Sequence, residues 1–164
     1  MGANGNKLLT VTTPSDREIV MTRVFDAPRE LVFEAHTSCE HMSRWWGPRK
    51  YETVFCEIDF RVGGTWRIVH SGPDGEIPGF HGEYLEIERP EHFTWTFIWE
   101  GAGEGGPETF EFEEHDGKTT LTSRSVFPTA VERDAVLESG MVDGAEQTYD
   151  RLEEYLAVMR KPAG

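Results

Sequence analysis

Cysteine is scarce, basic residues are outnumbered, and no long apolar run interrupts the chain. The two cysteines, Cys39 and Cys56, give no disulfide framework and no paired C-x-x-C spacing, which fits a reducing compartment. Cys39, His41 and His36 lie close together without the spacing of a zinc site, so no metal and no cofactor is expected. The longest apolar runs are a few residues, far short of the roughly 20 that span a bilayer. No membrane role is expected. Residues 1–6 lack a basic and then hydrophobic signal region, which sets the cytoplasm as the expected location. Lys and Arg number 16 against 30 Asp and Glu, a net charge of −14. Such a field repels phosphate backbones and anionic membranes, and it excludes nucleic acid as a partner. The signatures G-x-S-x-G and H-E-x-x-H are missing, as is a glycine-rich phosphate loop ahead of a helix. No catalytic residue follows from a motif.

What is present suits one domain: 164 residues, 37% hydrophobic and 12% aromatic, enough for an apolar core. Residues 1–16 read as an N-terminal extension, frayed at its Gly/Asn-rich start, and residues 17–160 as the domain. Residues 7–13 alternate weakly, as an edge strand does. Residues 17–26 read as a strand. Asp26 is the expected N-cap of a short helix with Pro28 and Glu30 in its first turn. Thr37 or Ser38 caps a second short helix, 39–46, closed by Gly47-Pro48. Strands follow over 53–60, 65–71, 79–88, 92–100, 108–114 and 119–127, with turns at Gly72-Pro73-Asp74-Gly75 and Asp116-Gly117. Thr129 and Glu132 have capping-box spacing. Met141, Ala145, Thr148, Leu152, Leu156 and Met159 form one stripe along a closing helix, with Gly140 and Gly144 marking a break or a close approach. Strand, two short helices, about six antiparallel strands and a long helix make an α+β fold, its sheet curling around one helix.

Thr22-Arg23-Val24-Phe25-Asp26-Ala27-Pro28-Arg29-Glu30-Leu31-Val32-Phe33 and Trp45-Trp46-Gly47-Pro48 resemble the opening of the START-like (SRPBCC) superfamily. Within it, the chain is most similar to the heat-shock-protein ATPase activator homologue family. Cys56-Glu57-Ile58-Asp59-Phe60, Gly63-Gly64-Thr65-Trp66-Arg67, Gly82-Glu83-Tyr84-Leu85-Glu86-Ile87 and Asp150-Arg151-Leu152-Glu153-Glu154-Tyr155-Leu156 agree, over residues 17–157. The resemblance implies a helix-grip fold with an apolar cavity between sheet and long helix. It also implies a hydrophobic small molecule as partner, held by a sensor, carrier or sequestering protein. Close relatives usually read Gly-Trp where this chain has Gly144-Ala145, and carry bulk where it has Ser123 and Ser125. Those exchanges imply a roomier pocket.

Phe93, Trp95, Phe97 and Trp99 share one strand face, which is core, cavity wall or both. Trp66, Ile68 and His70 share another, with His70 either projecting inward or exposed and backbone-bonded at the strand end. Trp45-Trp46 sits at one cavity mouth, one ring in the core and the other as a lid. Tyr149, one position off the helix stripe, offers a hydroxyl. The candidate cavity set is therefore Trp45, Trp66, Ile68, His70, Trp95, Phe97, Trp99, Phe110, Phe112, Ser123, Ser125, Met141, Ala145 and Tyr149. The alternative is an enzyme of the same fold, cyclase- or hydrolase-like on a polyketide-like or aromatic substrate, with His70 and Tyr149 as proton-transfer candidates. A co-chaperone role ranks last, and a monomer or homodimer fits equally. Glu100, Glu104, Glu108, Glu111, Glu113, Glu114 and Asp116 fall in 17 residues without Lys or Arg, and read as a solvated hairpin with Phe110 and Phe112 inside.

Overall fold

Alternating polar and apolar residues, bounded by turn chemistry, fold into β1 (Thr10–Thr12), β2 (Glu18–Phe25), β3 (Glu52–Ile58), β4 (Thr65–Ser71), β5 (Gly79–Glu88), β6 (His92–Trp99), β7 (Gly106–His115) and β8 (Lys118–Val126). The helices are α1 (Arg29–Glu34), α2 (Cys39–Trp45), α3 (Ala130–Glu138) and α4 (Met141–Arg160). The computed structural model describes residues 8–160; the expected fraying of residues 1–6 lies outside the described residues. The strands form one antiparallel sheet in the order β1-β2-β8-β7-β6-β5-β4-β3. This is the curved sheet and long C-terminal helix of the helix grip, as the order of elements implies.

Local chemistry sets the boundaries. Asp116 and Gly117 both have positive φ, at 53° and 79°, the requirement of a two-residue hairpin turn that matches strand twist. Ser38 accepts a bond from the His41 amide at the start of α2. Thr129 does the same for Glu132 at the start of α3. The reciprocal half of that capping box is diverted: the Glu132 carboxylate accepts from the Gly105 amide at 2.8 Å, tying α3 to the β6–β7 loop. Two expectations are corrected. Asp26 does not cap α1, because Pro28 occupies the N-cap position with extended backbone and no side-chain bond. Cys39 and Cys56 are not independent thiols but a disulfide. The strand β3 passes the start of α2, bringing together two cysteines that no sequence motif pairs. Their scarcity therefore no longer argues for a reducing compartment.

At one end of the interior α1 plugs the sheet. Val32 and Phe33 are fully buried, and Phe33 meets Phe60, Phe93 and Phe112 edge to face at 5.1–6.0 Å. His36 lies among Trp45, Phe93, Phe110 and Phe112. Its Nδ1 faces the Val32 carbonyl at 2.8 Å, and its Nε2 has no partner. Burial pulls its pKa down to about 4, so it is neutral at pH 7. Trp66 and Trp95 stack at 4.0 Å beneath the middle of the sheet. A Cβ at Gly82 would strike the Thr96 carbonyl and crowd the Trp66 indole, so the close approach there admits only glycine.

Candidate functional site

At the other end the same face opens into a cavity of about 790 Å³ between β2, β4, β5, β6, β7, β8, α3 and α4. Helix α4 faces it with the small residues Gly144, Ala145 and Thr148 as well as with Met141, Gln147 and Tyr149. Helix α3 lies across the space with no buried residue of its own, lending Glu132 and Val136. The segment 46–51 closes another side. Its Trp46 ring meets Trp66, His70, Phe80, Trp95 and Phe97 within 6.5 Å.

Of the candidate set, Trp45, His70, Phe97, Trp99, Phe110, Ser125, Met141, Ala145 and Tyr149 line this cavity. Trp66, Ile68, Trp95, Phe112 and Ser123 are buried in the layer behind it. Of the tryptophan pair, Trp45 is the core residue, its indole donating to the Ala35 carbonyl at 3.0 Å. Trp46 is the half-buried ring.

His70 points inward and is 2% exposed. Gly47, at φ 105°, seats it: any Cβ there would collide with the imidazole. Tyr51 stacks on the ring at 5.9 Å, and Nε2 has no hydrogen-bond partner. Burial, and then the Arg151 guanidinium, pull its pKa down to about 4 against a backbone contact with Trp46. His70 is thus a neutral imidazole with one ring nitrogen unused. Arg151 itself is spent on the carbonyls of Gly47 and Arg44, at 2.7 and 3.1 Å, fastening α4 to the end of α2. His81, on the neighbouring strand, pairs with Glu100 at 2.8 Å instead, so the two histidines do not act together.

A polar cluster lies towards α4. Glu108 accepts from the Trp95 indole at 2.9 Å and from the Ser125 hydroxyl at 3.2 Å. Burial raises its pKa, and those two donors oppose the shift. The Tyr149 phenol is pushed up too, by burial first and then by the Glu108 charge, while Ser123 steadies its anion. Its hydroxyl therefore keeps its proton at neutral pH and can donate or accept. No group of three His, Cys, Asp or Glu among the described residues is arranged to hold a metal. His41, once grouped with Cys39, instead bonds the Tyr155 hydroxyl at 2.6 Å.

The sequence model of the Activator of Hsp90 ATPase homolog 1-like protein family matches residues 26–157. The chain belongs to this family. It is similar to a protein of Rhodobacter sphaeroides, 26% identical, whose crystal structure superposes with a TM-score of 0.87 over 92% of this chain and 98% of that one. A Staphylococcus epidermidis protein solved by NMR is also 26% identical, with a TM-score of 0.78 over 94% and 98%. The AHSA1 protein of Silicibacter pomeroyi, 18% identical with a TM-score of 0.69 over 87% and 99%, shares the fold. No curated protein matches the chain significantly.

Sequence reasoning missed Glu108 in this AHSA1-like chain, and its assignment to a solvated hairpin is corrected. The signal was there: Glu108 has the strand parity of Phe110 and Phe112, so the alternation that buries them turns it inward. Glu100 departs from the same picture, since it is held by Arg67 at 2.8 and 2.9 Å.

Proposed function

We propose that this AHSA1-like protein binds a hydrophobic or aromatic small molecule in the cavity between sheet and C-terminal helix, as a sensor, carrier or sequestering protein. The observation that carries the reading is the contrast in the wall. Rings of Trp46, Phe80, Phe97, Trp99 and Phe110 supply apolar area, and Glu108, Tyr149 and His70 supply a few polar groups. Concave sites of this size and make-up are the usual small-ligand sites. The Ser125 and Ala145 positions, small where relatives are expected to carry bulk, give the ligand its room. Titration with Nile red, a neutral solvatochromic dye, together with native mass spectrometry of the purified chain, tests it. Saturable uptake of one dye per chain is expected. Absence of saturable uptake, with no co-purified mass, overturns the reading.

A second reading, an enzyme of the same fold, draws on the unpartnered Nε2 of His70 in a wall that also holds Tyr149. That nitrogen is a free acceptor, and a pKa held near 4 makes it a weak base at neutral pH. His70→Gln abolishing turnover of an aromatic or polyketide-like substrate while sparing its binding would support it. Action on a chaperone ATPase, the activity in the family's name, is tested by stimulation of a purified chaperone and ranks behind both.

A further inference from the structure

The most informative group in the cavity is a carboxylate without a counter-ion. Trp95, Glu108 and Ser125 sit directly opposite one another on β6, β7 and β8. Both donors to Glu108 are neutral: an indole N–H on Oε1 and a hydroxyl on Oε2. Among the described residues, no Arg, Lys or His lies within ion-pair distance of it. The cations nearby are committed elsewhere. Arg23, whose charge bears on Tyr149, pairs with Asp150 at 2.7 Å. Arg49, at the rim, pairs with Glu154, and Lys50 lies over the Tyr51 ring.

A half-buried carboxyl group with two neutral donors and no cation is held towards its protonated form, and an arriving positive charge favours the carboxylate. The surroundings suit one. Aromatic faces attract a cation that has shed its water, and Phe97, Phe110 and Tyr149 share this wall. The chain's net charge of −14 concentrates cations around it and repels anions. A neutral ligand does nothing to stabilise the ionised form, and an anionic ligand opposes it.

Building on the small-molecule reading above, we propose that the cavity selects a lipophilic amine. The protonated nitrogen pairs with the Glu108 carboxylate, and the apolar body lies against Trp46, Phe97 and Phe110. Glu108 is thereby the residue that sets specificity, with Trp95 and Ser125 orienting it.

Three probes of nearly one shape test this by isothermal titration at low ionic strength: 1-naphthylmethylamine, 1-naphthalenemethanol and 1-naphthoate. The intact chain is expected to bind the amine about tenfold more tightly than the alcohol, with the acid weakest. Glu108→Gln is expected to bring the amine to within about threefold of the alcohol. An alcohol or acid that binds as tightly as the amine overturns the amine assignment while leaving the small-molecule reading intact. Failure of all three probes together with Nile red overturns both. The ranking on the unaltered chain decides the matter if the Glu108→Gln variant does not fold.

Discussion

Phe93 and Trp99 stand on the same face of the same strand, yet Phe93 is 0% exposed and Trp99 36%. The difference lies in what covers each end. Over Phe93, α1 drives Phe33 into the sheet, and the rings pack edge to face with no room left. Trp99 instead borders the cavity, whose other walls include α3, which buries nothing fully, and the stretch of α4 that begins with Gly144 and Ala145. One periodic pattern therefore yields a solid core at one end and a wall at the other. The half that is packed bears the stability, and the half that is open is free to specialise.

The largest expected effect comes from the packed half. Phe33→Ala should cost about 3–5 kcal/mol in urea unfolding, because the neighbouring rings cannot collapse into the hole. Phe97→Ala, on the open side, should cost about 1 kcal/mol and weaken dye uptake instead. Equal losses at both sites would erase the distinction.

Next comes acid sensitivity. The His36 pKa falls from 6.5 to about 4 on folding, so the unfolded chain takes the proton first. Its contribution is complete above pH 6.5 and is lost as pH drops towards 4, by on the order of 3 kcal/mol in all. His36→Leu should flatten the decline of unfolding free energy over that window. His70 has the same depressed value, so His70→Leu should flatten the decline by a similar amount. A decline left intact by either variant would show that imidazole to be open to water in the folded chain.

The smallest change in stability, and the sharpest in binding, is expected from Ala145→Trp. The added ring enters open space rather than packed core, so unfolding should shift by less than about 1 kcal/mol. Nile red affinity should fall about tenfold or more, because the ring takes the volume a ligand needs. Unchanged affinity would mean that the dye binds elsewhere.

Element types and order were legible because alternation, capping residues and turn dipeptides are local signals. Thr65–Ser71 and Gly79–Glu88 fall where the pattern puts them. The stripe of α4 identified the buried Leu152 and Leu156. The site was less legible. Parity tells which way a side chain points, but not whether a helix lies on top of it. Trp95 and Phe97 read alike in sequence, and only the second borders the cavity. Glu108 was hidden by composition, since an acid among acids reads as solvent-facing until its parity is compared with that of Phe110.

What the sequence determined by itself is the grip: strands, helices, their order, and the faces that must leave water. The tertiary structure decided what depends on contacts between distant segments. It brought Cys56 to Cys39 as a disulfide and placed Trp46 rather than Trp45 at the centre of the ring cluster. It also aligned Trp95, Glu108 and Ser125 across three strands around a carboxylate. Periodicity acts over a few residues, whereas the shape and charge of a cavity are set by elements far apart in the chain, and their packing fixes what the open space can hold.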